Sequence, residues 1–168
     1  YVEKGRIGKK KLRPKVKYFL EYLLSVDNLI SLLNCPANKL KPHAEKLCET
    51  FDILRDREHL AFRQIRRIFV DNTYTTEFPK TDFIRALDIK VCPYCNRSFI
   101  ECIDKNDKSS PIKGQLDHFY SKERYPFLAL SRFNLIPCCS DCNGVGGKFT
   151  VDADETKLIN PYLLEDTN

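Results

Sequence analysis

Residues 115–126 read QLDHFYSKERYP, and in the middle an acid, Asp117, stands directly before His118, one of only three histidines in the chain. A lone histidine between Leu116 and Phe119 can be a packed ring with its nitrogens satisfied. The surroundings decide otherwise. Two CxxC pairs bracket it, CPYC at Cys92 and Cys95 and CSDC at Cys139 and Cys142. Each such knuckle turns tightly enough to aim two thiolates at one ion, and two knuckles complete the tetrahedron that zinc prefers. The competing reading is a set of buried, unmetallated thiols. Cys102 and Cys138 can compete as ligands, while Cys35 and Cys48 read as core residues. Eight cysteines at these spacings, with no mark of secretion, point to a reduced compartment, the cytoplasm, rather than to a disulfide framework.

The chain has 168 residues, 42% of them apolar and 11% aromatic, enough for one ordinary domain or two small ones with a real core. No apolar run reaches 18 residues and no signal or lipidation motif is visible, so no membrane association is expected. The sequence opens on Tyr1 without a methionine, which suggests that an N-terminal piece is trimmed or missing. The net charge of +5 is concentrated: residues 1–18 carry eight Lys/Arg against one acid. Such an arm, including Lys9, Lys10, Lys11 and Arg13, can track a phosphate backbone or be a solvated tail.

From residue 19 to about 90 the apolar spacing is helical. Leu20, Leu23, Leu24, Leu29, Ile30 and Leu33 recur at three- and four-residue steps, with a break at 34–36, and Leu40, Ala44, Leu47, Phe51 and Leu54 repeat the pattern. In HLAFRQIRRIFV (59–70) Phe62, Ile65 and Phe69 share one face, and Arg63, Arg66 and Arg67 another. That arginine stripe is either a solvated face or a phosphate contact. DNTYTTEFPKTD (71–82) reads as a loop, with Thr81 or Asp82 capping a short helix. His43 and His59 read as surface or packing residues. After residue 91 short β-prone pieces, RSFIECI, QLDHFY and FNLIP, alternate with turns such as DKNDKSS and NGVGG. The expected architecture is therefore α+β, in three parts: a basic arm (1–18), a helical domain (19–90) and a zinc-bearing domain (91–168).

Between and beside the knuckles lie Asp117, His118, Asn134 in FNLIP, and Asn143 directly after Cys142. An acid and an amide oxygen are hard ligands suited to magnesium, and an adjacent imidazole can deprotonate water near neutral pH. These are the parts of a one-metal phosphodiesterase, in which zinc, with four thiolates and no open position, is structural.

LDHFYSKERYPFLALSRFNLIPCCSDCN, with CPYC upstream and NPY downstream, resembles the HNH endonucleases, the ββα-metal or His-Me-finger family, in its four-cysteine zinc variant ending on Asn. The resemblance covers about 91–162 and extends to bacterial antiphage-defence effector nucleases. It implies a small ββα-metal nuclease domain in which Asp117 and Asn143 hold a catalytic Mg2+ or Mn2+, His118 is the general base and Asn134 orients the histidine loop. It also implies DNA as substrate and a regulatory partner such as an ATPase or a reverse transcriptase. One position departs: many such motifs carry Lys three residues after the last Asn, where this chain has Gly146, with Lys148 two further on. Residues 91–168 hold nine Lys/Arg against eleven acids, so that part alone does not attract DNA, and the arm, the arginine stripe or a partner subunit would have to hold it, with Lys148 a further candidate contact displaced from the motif position. The alternative is a catalytically silent zinc module that binds nucleic acid or a protein partner.

Overall fold

The computed structural model describes residues 2–3, 6–7, 10–53, 58–100, 114–148, 151 and 153–164. Lys9, Leu54, Cys102 and the turn 104–110 lie outside the described residues. The fold is α+β. Packing gathers the chain into two units that do not follow sequence order: residues 1–77 with 122–133, and residues 78–121 with 134–168.

The first unit opens with three two-residue strands, β1 (Val2–Glu3), β2 (Arg6–Ile7) and β3 (Lys10–Lys11), paired antiparallel in that order. Helix α1 (Pro14–Tyr22) begins inside the basic segment, because Pro14 at the first position has its fixed φ pre-set for a helix and no N–H to leave unpaired. The apolar run expected as one helix is two. α1 stops at Tyr22 and α2 (Val26–Leu33) restarts after Ser25, which leaves Leu24 82% exposed instead of in the core. After α3 (Leu40–Thr50), helix α4 (Leu60–Arg66) starts at His59, whose Nδ1 accepts from the Ala61 N–H at 3.3 Å, so His59 is a cap. The helix does not yield to a loop at residue 71. It continues as a π-helix over Arg67–Tyr74, with the Thr75 N–H on Val70 O at 2.8 Å, because Phe69, Val70 and Tyr74 all have core to fill.

The segment 122–133 fills this helical core. Phe127 sits edge-on to Phe19 with ring centroids 5.7 Å apart, and Phe19 also meets Phe51 at 5.3 Å. Ser131 Oγ donates to Leu32 O at 2.8 Å, which uses the last-turn carbonyl that α2 leaves open. Phe19 is fully buried, a burial that contributes about 1.5–3 kcal/mol.

The second unit starts with α5 (Lys80–Leu87). Pro79 rather than Thr81 or Asp82 precedes the helix, and both of those residues lie within it, Asp82 in the first turn where the helix dipole favours an acid. Strands β4 (Gln115–His118) and β5 (Leu135–Cys138) pair antiparallel, with Asp117 opposite Ile136 and His118 opposite Leu135. Short helices α6 (Ser140–Asn143) and α7 (Ala153–Thr156) follow. Two small cores hold the hairpin, one of Cys92, Ile100, Cys138 and Cys139 and one of Phe119, Ile136 and Ala153, with Tyr94 packed against both. Tyr162 secures the far strand by donating its hydroxyl to Leu135 O at 3.1 Å, and buried Asn160 caps its turn by accepting from the Tyr162 N–H at 3.0 Å. No helix among the described residues is long and apolar enough to cross a membrane.

Candidate functional site

The first knuckle is a turn closed by Cys92 N–H on Ser98 O and Asn96 N–H on Cys92 O, both 2.8 Å, with Asn96 in the left-handed region at φ 48°. The second places Cys139 just before α6 and Cys142 within it. The four Sγ atoms of Cys92, Cys95, Cys139 and Cys142 all lie within 4.8 Å of one another, and Cys95 and Cys139 are 4.0 Å apart. A tetrahedron with Zn–S bonds of about 2.3 Å needs sulfurs about 3.8 Å apart, so the cluster fits a zinc ion. The surroundings favour thiolates at two of the positions. Backbone N–H groups of Ser98 and then Arg97 hold the Cys95 thiol down at about 6, and the Cys142 N–H lowers Cys139. Burial and hydrogen bonds from the other cysteines push Cys142 up, which is the proton a bound cation would displace. Cys138 is not in the cluster: it lies in the core of β5, its thiol pushed up first by burial and then by the Asp117 charge. Cys35 is buried in the helical unit.

Asp117 and His118 end β4, each 4% exposed. Tyr94 donates its hydroxyl to Asp117 Oδ2 at 2.7 Å, and its own pKa is driven up by burial and then by that carboxylate. Lys148 places its ammonium 3.0 Å from Oδ2 and 3.2 Å from Oδ1 of Asp117, and 2.7 Å from His118 O. Asn134, fully buried, clamps the chain just past the histidine: its Oδ1 accepts from Tyr120 N–H at 2.8 Å and its Nδ2 donates to Tyr120 O at 3.1 Å. Asn143 Nδ2 donates to Gln115 Oε1 at 2.8 Å, which sets it beside β4 on the face that Gln115 shares with Asp117.

The hairpin thus brings Asp117, His118, Asn134 and Asn143 into one unit with the four cysteines. Both Asp117 carboxylate oxygens face the Lys148 ammonium, so an ion on Asp117 would have to compete with that cation. The described residues contain no second group of three His, Cys, Asp or Glu side chains able to hold a metal. Sequence reasoning missed Tyr94 and Gln115 as partners and left Lys148 out of register. A tyrosine inside a CPYC knuckle was the visible signal, since a buried phenol needs an acceptor.

The basic candidates divide. Gln64 in α4 ties the arm to that helix, its Oε1 accepting from Arg13 N–H and its Nε2 donating to Lys11 O, both at 2.8 Å. The side chains of Lys11, Arg13 and Arg67 are exposed. Arg63 pairs with Glu58, and Arg66 is held between Glu123 and Asp71, each at 2.7 Å. Lys148 is 8% exposed and turned inward, not toward a phosphate backbone.

An α+β chain carrying a four-cysteine cluster suited to zinc, with an Asp–His pair on the adjoining hairpin, is the class that fold and site define. Over 78 residues the chain is 37% identical to the Septu protein PtuB of Bacillus thuringiensis, a match covering 46% of this chain and 26% of that protein. The match therefore spans about a quarter of that relative's length. No family model and no solved structure matches the chain.

Proposed function

We propose that this protein is an HNH endonuclease that hydrolyses DNA phosphodiester bonds with magnesium or manganese, as an effector in a bacterial antiphage defence or restriction system. The observation that carries the reading is the Asn134 clamp: a fully buried amide spends both ends on the backbone of Tyr120, two residues beyond His118. A core residue has no need of so rigid a mount, whereas a general base must be held within hydrogen-bond reach of its water. In this reading His118 takes the proton from the attacking water, Asn134 fixes its loop, and zinc on the four cysteines keeps the hairpin folded. Asp117 and Asn143 are the ion ligands that the HNH resemblance implies. The similarity to the Septu protein PtuB supports a place in defence and a partner protein. DNA is held by the arm and by the start of the π-helix that continues α4, where Lys11, Arg13 and Arg67 are exposed.

The Lys148 ammonium on Asp117 favours a second reading, a zinc module that binds without cutting. Plasmid cleavage with magnesium or manganese, wild type beside His118→Ala, separates the two. The nuclease reading expects a fall on the order of 10² to 10⁴ in rate, with zinc content retained and the variant still folding cooperatively. A variant that cuts like wild type places the base elsewhere, and a wild type that never cuts leaves the binding module.

A further inference from the structure

The glycines after the second knuckle give Lys148 its position. The chain turns back on α6, with Gly147 N–H on Gly144 O at 2.9 Å and Lys148 N–H on Cys142 O at 2.7 Å. A Cβ on Gly147 would stand 2.3 Å from Cys142 O and 2.5 Å from Asp141 O, so only glycine lets the backbone pass so close to the knuckle. The side chain that follows enters the interior instead of solvent. Lysine is almost never buried unless paired, and desolvating two charges is compensated only by good geometry with further hydrogen bonds. That geometry is present: both Asp117 oxygens and His118 O surround the ammonium, and the Tyr94 hydroxyl completes the carboxylate.

We propose that Lys148 sets the divalent-ion affinity of this site, its ammonium being the resident cation on Asp117 with which Mg2+ or Mn2+ must compete. A divalent ion binds carboxylate oxygen at about 2.1 Å and would stand within about 4 Å of the ammonium, where the two repel strongly in a dry interior. Apparent ion affinity is therefore reduced by the fraction of molecules in which Lys148 has left. The inference rests on the nuclease reading for the presence of a divalent ion on Asp117.

The test uses the zinc-loaded full chain and Mn2+, read by titration calorimetry and by the electron paramagnetic resonance of free Mn2+. Lys148→Met keeps the apolar stem and removes the charge, and it is expected to bind one Mn2+ on the order of tenfold or more tighter than wild type. Adding Asp117→Asn to it abolishes that gain. Lys148→Gln, which retains a donor for His118 O, gives the same gain and serves if the methionine variant does not fold. Mn2+ should raise the melting temperature of the lysine variants more than that of wild type. Equal Mn2+ affinity in wild type and lysine variants, or no binding by either, overturns the proposal. Cleavage is scored separately. Tighter Mn2+ binding without cleavage by any form sinks the nuclease reading and leaves the role of Lys148 standing, whereas cleavage by wild type with an ion affinity indifferent to Lys148 does the reverse.

Discussion

Asp117 is a buried acid whose support comes from named donors, and each can be removed alone. Tyr94→Phe deletes one hydroxyl and little volume, leaving the carboxylate to Lys148. A hydrogen bond to a charged group contributes about 1.5–3 kcal/mol, and that loss should appear in urea unfolding of the zinc-loaded protein. A change below about 0.5 kcal/mol would mean that the ammonium alone supports the acid. Asn134→Ala removes both hydrogen bonds to the Tyr120 backbone, each contributing about 0.5–1.5 kcal/mol. The Asp117–His118 pair and the four cysteines were legible because short-range spacing carries them. The partners of Asp117 were not, since Tyr94 and Lys148 are 23 and 31 residues away and meet it only through tertiary packing.

Among the elements, the turn after α6 is the most demanding. Gly147→Ala meets two backbone oxygens that cannot swing aside, so the turn must open and withdraw Lys148 from Asp117. Lower zinc affinity together with a lower melting temperature is expected, and a variant matching wild type in both would mean that the turn yields without cost. In α3, His43 Nε2 is buried with no hydrogen-bond partner among the described residues, and burial first, then Lys46, lowers the pKa of the ring. A histidine harder to protonate when folded makes the unfolded chain the better proton acceptor. Its contribution is thus present above the unfolded value, about 6.5, and is lost as pH falls below it. His43→Gln should lose less stability than wild type between pH 7.5 and pH 5, as read by denaturant unfolding at the two pH values. Helical periodicity located α3 and α4 but not the break between α1 and α2. Leu23 and Leu24 continue the apolar pattern, yet the chain bends there and leaves Leu24 in solvent. The π-helix was likewise hidden, because DNTY has the composition of a loop and is recruited by the core needs of Val70 and Tyr74.

For the whole molecule, the zinc that the four cysteines suit and the DNA proposed as substrate make separable demands. Cys95→Ser, or a strong chelator, should unfold the second unit rather than only slow a reaction, because binding energy at a structural zinc is folding energy. A chelated protein that keeps its melting curve would remove zinc from the account. Removing residues 1–17 is a poor test of DNA affinity, since it takes with it Val16, fully buried in α1. Lys11→Ala and Arg67→Ala spare the core, and each should reduce the slope of log affinity against log salt by about 0.9 if it neutralises one phosphate of duplex DNA.

The segment 122–133 has a consequence for how the protein is made. A ribosome delivers the first 77 residues well before Phe127 and Leu128 emerge, so the helical unit waits with Phe19 lacking the ring of Phe127 while the strand bearing Asp117 and His118 is being synthesised. Vectorial folding, in which an N-terminal domain finishes first, is closed to this chain. A fragment ending at residue 90 should come off the ribosome loosely packed and prone to aggregate, and supplying 122–133 as a separate peptide should tighten it. The aromatic that completes the helices lies between His118 and its clamp, so neither unit is completed by its own contiguous stretch of chain.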